Sequence, residues 1–286
     1  MKPLFFFLIL FAVGMGATAQ TKFDKQGHRG IRGLMPENTI QSMKMTQDLG
    51  AVLEMDISFS ADKQLIVSHD QWLTADIVLT PEGKTILKKD QKGYNLYKMP
   101  YEEIRKYDIG MKGHPGFPQQ KKMPAYIPLL AELIDSVELY AKKMKYKLPR
   151  YNMEIKTKES SDNVFHPEPE EFSKRLMELI NKKKIQSRVM IQSFDVRALE
   201  IIHRDYKKTK ISYLVHAGSL NENLKKLSFK PDVYSPNYKG VTKELVKQCH
   251  AQGIKIIPWT ANTKEQIEAL KNMGVDGIIS DYPNLL

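Results

Sequence analysis

Cysteine is almost missing from this chain: Cys249 alone occurs in 286 residues, so no intrachain disulfide can staple the fold. Stability must then come from a buried apolar core, which a chain of this length can build and a small secreted domain cannot. Cys249 lies in Thr242-Lys243-Glu244-Leu245-Val246-Lys247-Gln248-Cys249-His250, which reads as an amphipathic helix, and it is expected to be a buried structural thiol. Long apolar runs are also scarce. The longest, Leu4 to Val13, falls well short of the roughly 20 residues that a spanning helix needs. No heptad pattern or low-complexity tract follows it, and no Gly-x-Gly-x-x-Gly turn follows the first strand-like segment, which argues against a dinucleotide-binding open sheet.

What is present is ordinary in bulk. Hydrophobic residues make up 42% and charged residues 27%, near globular averages, so a packed core is expected and wholesale disorder is not. The formal charge is +11, with lysines dispersed along the chain and short runs such as Lys182-Lys183-Lys184 and Lys207-Lys208 at predicted helix ends. That distribution reads as a solvated face that complements helix dipoles, not as a nucleic-acid surface, although its field would attract an anionic phosphodiester. The first residues combine Lys2, the Leu4–Val13 run and Ala17-Thr18-Ala19, the pattern of a secretory signal cleaved after Ala19. The mature chain is therefore expected to span residues 20–286 and to be secreted or periplasmic. No cysteine follows the small residues, so neither a lipid anchor nor any other stable membrane anchor is expected.

From residue 26 onward, β-like and helical segments alternate. Strands are predicted at the approach to His28 and over 51–59, 151–156, 188–193, 210–215, 232–236, 253–260 and 275–280; helices over 37–49, 129–144, 169–183, 195–206, 221–226, 242–252 and 263–273. Thr242 and Thr263 precede acidic first turns, and Gly253 and Gly274 stand where a left-handed closing residue is wanted. Strand, helix, glycine, strand repeated in this way implies parallel pairing with right-handed crossovers, and eight strands suggest a TIM (β/α)8 barrel, a doubly wound sheet being the alternative. A short strand, Leu65-Ile66-Val67, leads to His69-Asp70, and the stretch Gln71 to Tyr126 then breaks the rhythm. It is expected to be an ordered insertion over one end of the barrel, with Tyr94, Tyr97, Tyr101, Ile104 and Tyr107 as packing material.

The residues that carry chemistry gather at predicted strand ends. Glu54 and Asp56 alternate in phase along one strand and so point to the same side, and Glu154 arrives on another strand. Inward-facing acids repel unless a cation joins them, and an all-oxygen set favours a hard ion, Ca²⁺ or Mg²⁺. His28 and His69 each end a strand beside a charged residue. Phosphodiester cleavage needs a base for the attacking oxygen and an acid for the leaving alcohol, and two imidazoles can divide those tasks. Arg29 can fork onto two phosphoryl oxygens, and Lys156 supplies a second cation. His114, His166, His203, His216 and His250 are expected to be bystanders.

Gly27-His28-Arg29-Gly30, Pro36-Glu37-Asn38-Thr39, Glu54-Met55-Asp56 and His69-Asp70 resemble the signature of the glycerophosphodiester phosphodiesterases. The resemblance extends through Lys156, Gln192-Ser193-Phe194, Trp259-Thr260 and Asp276-Gly277-Ile278-Ile279-Ser280-Asp281-Tyr282-Pro283; one departure is Leu129, where a threonine commonly follows the proline. It implies a (β/α)8 barrel, one divalent ion on Glu54, Asp56 and Glu154, His28 and His69 as acid and base, Arg29 near the phosphate, and Gln192 and Trp259 lining the substrate pocket. The implied activity is hydrolysis of a small-molecule glycerophosphodiester to sn-glycerol 3-phosphate and an alcohol. A phospholipase D-like enzyme acting on lysolipids or sphingolipids is a second reading, and a binding module that has lost activity a third. The intact histidines and acids argue against the last.

Overall fold

Strand Val52–Phe59 is buried from end to end, yet its two faces differ in kind. Leu53, Met55, Ile57 and Phe59 face the main apolar core, while Glu54, Asp56 and Ser58 alternate to the other side. A strand buried on both faces belongs to a sheet covered by helices outside and closed on itself within.

In the computed structural model, which describes residues 23–286, that is the arrangement. The elements run β1 (Asp24–Gly27), α1 (Ile40–Asp48), β2 (Val52–Phe59), β3 (Leu65–Val67), α2 (Tyr101–Ile104), α3 (Leu130–Met144), β4 (Tyr151–Ile155), α4 (Pro169–Lys183), β5 (Val189–Ser193), α5 (Val196–Asp205), β6 (Lys210–Val215), α6 (Leu220–Leu224), β7 (Val233–Pro236), α7 (Lys243–Ala251), β8 (Lys255–Ile256), α8 (Lys264–Met273) and β9 (Gly277–Ser280). Eight strands pair in parallel in the order β8-β7-β6-β5-β4-β2-β1-β9, and β3 lies antiparallel on β2. Asp276 N–H donates to the Ile256 carbonyl at 3.0 Å and Ile279 N–H to that of Pro258 at 3.0 Å, which joins the two ends of the sheet. The fold is the expected TIM barrel. The expected signal segment, residues 1–19, lies outside the described residues.

The local rules hold where side chains supply them. Thr242 and Thr263 cap α7 and α8 by accepting from Leu245 N and Gln266 N, and Gly274 closes α8 in a left-handed conformation. The two largest differences from the expected boundaries have local causes. The helix expected from residue 37 begins at Ile40, because Asn38 adopts φ +56° and Thr39 is the cap. The strand expected over 253–260 shrinks to Lys255–Ile256, since Pro258 has no N–H to give the ladder. At the start of α3, Leu129 occupies the cap position without a side-chain hydrogen bond and packs instead on the insertion.

The main core lies between sheet and helices and includes an edge-to-face pair, Phe59 with Phe172, at 4.7 Å. Cys249, on α7, is fully buried within it, and burial pushes its thiol up to about 12. Residues 71–126 carry a second core of their own, in which Leu73, Val78, Leu96, Tyr101 and Ile104 are buried against Ile66. Tyr94 and Tyr107 pack on it, while Tyr97 turns to the main core. The insertion is tied to the loops that follow the barrel strands: Gln71 Nε2 donates to the Lys156 carbonyl at 2.6 Å and Asn95 Nδ2 to that of Val164 at 2.8 Å. No helix among the described residues is long and apolar enough to cross a membrane.

Truncating Phe172, which is fully buried, removes its contact with Phe59 and leaves a cavity. Phe172→Ala should lower unfolding free energy by about 3–5 kcal/mol, read by denaturant titration.

Candidate active site

Parallel register places the site's carboxylates side by side: Asp56 pairs with Glu154, and Glu154 with Gln192. Glu54, Asp56 and Glu154 are buried, and oxygens of all three come within 4.8 Å of one another. The turn after β1 closes over them. Arg29 has φ +52° and Gly30 +86°, and this left-handed pair turns the Arg29 N–H onto Glu54 Oε2 at 2.7 Å. Gly30 packs so tightly on α1 that a Cβ there would come 2.3 Å from Ser42 Oγ.

Each acid has its own surroundings. Glu54 Oε1 accepts from Gln192 Nε2 at 2.7 Å, and Gln192 Oε1 accepts from Asn152 Nδ2 at 2.8 Å. Asp56 Oδ2 accepts from Asn38 Nδ2 at 2.9 Å and lies 3.4 Å from Arg29 Nε. Lys156 Nζ sits 3.1 Å from Glu154 Oε1 and 3.5 Å from Asp56 Oδ1. Burial, then the neighbouring Asp56 charge, raises the Glu54 carboxyl well above its ordinary range. Glu154 is raised chiefly by burial, with Lys156 opposing. Burial would also raise Asp56, but Lys156, His69 and Arg29 outweigh it and hold the group well below the usual range. Asp56 Oδ1 is buried with no hydrogen-bond partner. An orphaned oxygen within an all-oxygen trio of strained acids fits a hard divalent ion.

Both expected histidines are oriented by carboxylates. His28 Nδ1 lies 2.7 Å from Asp281 Oδ1, and His69 Nδ1 lies 3.0 Å from Asp70 Oδ1. Burial lowers the His28 pKa to about 4 despite Asp281, and Arg29 and Arg32 add to the effect, so at neutral pH the ring is uncharged. Arg29 Nη1 donates to Glu37 Oε1 at 2.9 Å, which fixes the guanidinium beside Asp56.

These side chains open on a cavity of about 390 Å³ lined also by Phe194, Leu214, His216, Trp259 and Ile279. A second lobe of about 550 Å³ shares His69, Glu154, Lys156, Phe194 and His216 with it. Trp259 is in the wall, its Nε1 donating to the Ser235 carbonyl at 2.9 Å. Gln192 lines the cavity as expected, and its amide also bridges Glu54 and Asn152. His216, expected to be a bystander, stands in the wall stacked on Phe194 at 4.3 Å. It directly follows β6, at a strand end like His28 and His69 but without a charged residue beside it. Of the remaining histidines, His166 is fully buried and accepts from Lys158 N–H through Nε2, while His250 pairs with Asp276 at 2.9 Å. Arg32 and Asn262, both bonded to Asp281, escaped the sequence reading because no spacing rule links them to residue 281.

The model of the glycerophosphoryl diester phosphodiesterase family matches residues 28–285. This chain belongs to that family. It is accordingly a phosphodiesterase. A glycerophosphodiester phosphodiesterase of Caldanaerobacter subterraneus subsp. tengcongensis is 33% identical over 260 residues, 91% of this chain and 94% of the relative. The crystal structure of a Silicibacter pomeroyi protein assigned to the same family superposes with a TM-score of 0.81 at 27% identity, covering 92% of each chain. The barrel of an Oleispira antarctica phosphodiesterase, in complex with the product sn-glycerol-3-phosphate, matches with a TM-score of 0.71 at 24% identity over 91% of this chain and 93% of that one.

Because burial raises the Glu54 and Glu154 carboxyls above their ordinary range, an ion entering the site competes with protons for them. Raised folded-state values also mean that these two acids lend stability at low pH and withdraw it as pH rises through them. The Tm increase on adding Ca²⁺ or Mg²⁺ should therefore grow from acid to neutral pH. Calorimetry in buffers of different ionisation enthalpy should register proton release. Glu154→Gln should weaken binding by at least about tenfold, as loss of a ligand-shell group typically does. A pH-independent Tm increase would contradict the assignment.

Proposed function

We propose that this chain hydrolyses glycerophosphodiesters to sn-glycerol 3-phosphate and an alcohol, using one divalent cation, and that it does so outside the cytoplasm. The observation that carries the reading is the trio of buried carboxylates, oxygens within 4.8 Å, between two imidazoles whose Nδ1 atoms are each tied to a carboxylate. The substrate class is supported by the glycerophosphodiester phosphodiesterase that is 33% identical over 91% of the chain. The location is supported by Lys2, the Leu4–Val13 run and Ala17-Thr18-Ala19, with residues 20–286 as the mature chain.

Glu54, Asp56 and Glu154 would hold Ca²⁺ or Mg²⁺, which when bound polarises a phosphoryl oxygen. Arg29 and Lys156 bring two fixed positive charges to the same phosphate, where they stabilise the charge that accumulates as the attacking oxygen adds. His28, neutral and with Nδ1 engaged by Asp281, has Nε2 left to take the proton of that oxygen. His69 is more open to solvent, and with Nδ1 engaged by Asp70 it is suited to protonate the leaving alcohol. Phe194, Leu214, Trp259 and Ile279 give the cavity an apolar wall against which the carbon skeleton of one substituent can lie.

Purified protein should release sn-glycerol 3-phosphate from glycerophosphocholine or glycerophosphoethanolamine when Ca²⁺ or Mg²⁺ is supplied, and chelation should stop it. Cleavage of a lysolipid with neither diester touched would instead favour the phospholipase D-like reading. His28→Ala and His69→Ala should each lower kcat by roughly 10²–10⁴-fold, the usual worth of a positioned acid or base. A nitrophenyl ester, whose leaving group needs little protonation, should rescue only His69→Ala. Rescue of His28→Ala instead would reverse the two roles.

A further inference from the structure

Arg32 has no place in the residue pattern that marks the site, yet it completes the surroundings of His28. Its Nε donates to Asp281 Oδ1 at 2.8 Å and its Nη2 to Oδ2 at 3.2 Å, a two-pronged grip. Oδ1 is also the atom that meets His28 Nδ1, and Oδ2 also accepts from Asn262 Nδ2 at 2.7 Å. With both oxygens occupied and the side chain buried, Asp281 stays ionised and cannot turn. An ionised partner at Nδ1 keeps the ring proton there and leaves the lone pair of neutral His28 on Nε2.

The far side of Arg32 is closed by the insertion. The Phe117 ring lies 4.6 Å from the guanidinium carbon and meets Tyr282 edge-to-face at 6.2 Å. Gln120 Nε2 donates to the Arg32 carbonyl at 2.8 Å, and Lys121 N–H donates to the Leu34 carbonyl at 2.8 Å. Residues 117–121 therefore hold both the side chain and the main chain of the turn that carries Arg32. From the barrel side, Gly33 N–H donates to the Asp281 carbonyl at 2.8 Å, so the turn is held between the insertion and the end of β9.

We propose that Arg32 is a positioning residue for His28, acting through Asp281, and that the insertion segment around Phe117 fixes Arg32 for this purpose. The proposal rests on the reading of His28 as an acid or base. Its consequence is electrostatic as well as geometric, because Arg32 shares the negative charge that Asp281 would otherwise direct wholly at the imidazole. The charged groups facing His28 are Asp281 beyond β9, Arg29 and Arg32 beyond β1, Asp56 on β2, and Glu54, His69, Glu154 and Lys156 around the shared cavity. Arg32 itself faces Asp281 and, at 3.6 Å, Glu37. Removing Arg32 leaves Asp281 with only the neutral Asn262 amide beside His28, which makes the ring more basic and less firmly held.

The test measures kcat and KM against pH, at saturating metal, for the wild type, Arg32→Gln, Arg32→Lys, Phe117→Ala, His28→Ala and the His28→Ala/Arg32→Gln double variant. Arg32→Gln should lose roughly tenfold or more in kcat, a share of what a positioned base supplies, with KM little changed and the acid limb of the profile moved to higher pH. Arg32→Lys should recover part of the loss. Phe117 is half-buried at the surface, so Phe117→Ala should fold normally and move the limb the same way, with a kcat loss of about two- to fivefold, in line with one cation–π contact. The double variant should be no slower than His28→Ala, since groups that act as a unit are not additive. A raised KM with unchanged kcat in Arg32→Gln would make Arg32 a substrate ligand and overturn the proposal. So would a kcat loss with an unmoved profile and no rescue by lysine, or a wild-type profile in Phe117→Ala. An inactive His28→Ala beside a wild-type-like Arg32→Gln would overturn this proposal alone, whereas a fully active His28→Ala would overturn the reading of His28 and this proposal with it.

Discussion

Mutual repulsion among Glu54, Asp56 and Glu154 is the constraint around which the rest is organised. Three acids so close in a buried lumen cannot all ionise unaided, and the surrounding residues divide that burden unequally. Asp56 receives the cations, with Lys156 and Arg29 both in reach, and stays charged. Glu54 receives only neutral donors, the Arg29 backbone N–H and the Gln192 amide, and is driven toward its protonated form. The protein thus fixes where the oxygens stand, and a cation that enters competes with protons for the acids that the protein's own cations leave uncompensated.

That arrangement requires a barrel whose interior is unlike its exterior. On the outside of the strands, Leu53, Met55, Tyr151, Met153 and Ile191 build the continuous apolar layer under the helices. Inside, Gln26, Glu54, Asp56, Asn152, Glu154 and Gln192 form a polar half, linked where Asn152 Nδ2 donates to both Gln26 and Gln192 at 2.8 Å. Val233, Ile257 and Ile279 form the opposite, apolar half. The cavity mouth is thereby lined by charged and amide side chains on one wall and by apolar ones, Leu214 and Ile279 among them, on the other.

Much of this was legible in the amino-acid sequence, for identifiable reasons. The alternation in Val52–Phe59 told the inward acids from the outward apolar residues, and the threonine caps and glycine stops delimited α7 and α8. Helix α4 begins at Pro169 and ends at Lys183 as its pattern predicts. What escaped depends on contacts between distant segments or on single backbone angles. Asn38 sits in a left-handed conformation that shortens α1 and frees its amide for Asp56, and nothing in the local pattern marks that. Arg32 meets Asp281 across 249 positions, a pairing only the closed barrel creates. His216 is different, because its position just past a predicted strand was visible and was discounted for want of a charged neighbour.

The buried thiol has a consequence for where the fold can form. Cys249 is the one sulfhydryl of the chain, sealed in the main core and held protonated by burial. Once the barrel has formed, a thiol without thiolate character does not exchange with glutathione. With a single cysteine the native state contains no intrachain disulfide, so it is covalently the same in a reducing compartment and in an oxidising one. A fold without disulfides needs no oxidative maturation, whichever compartment it works in.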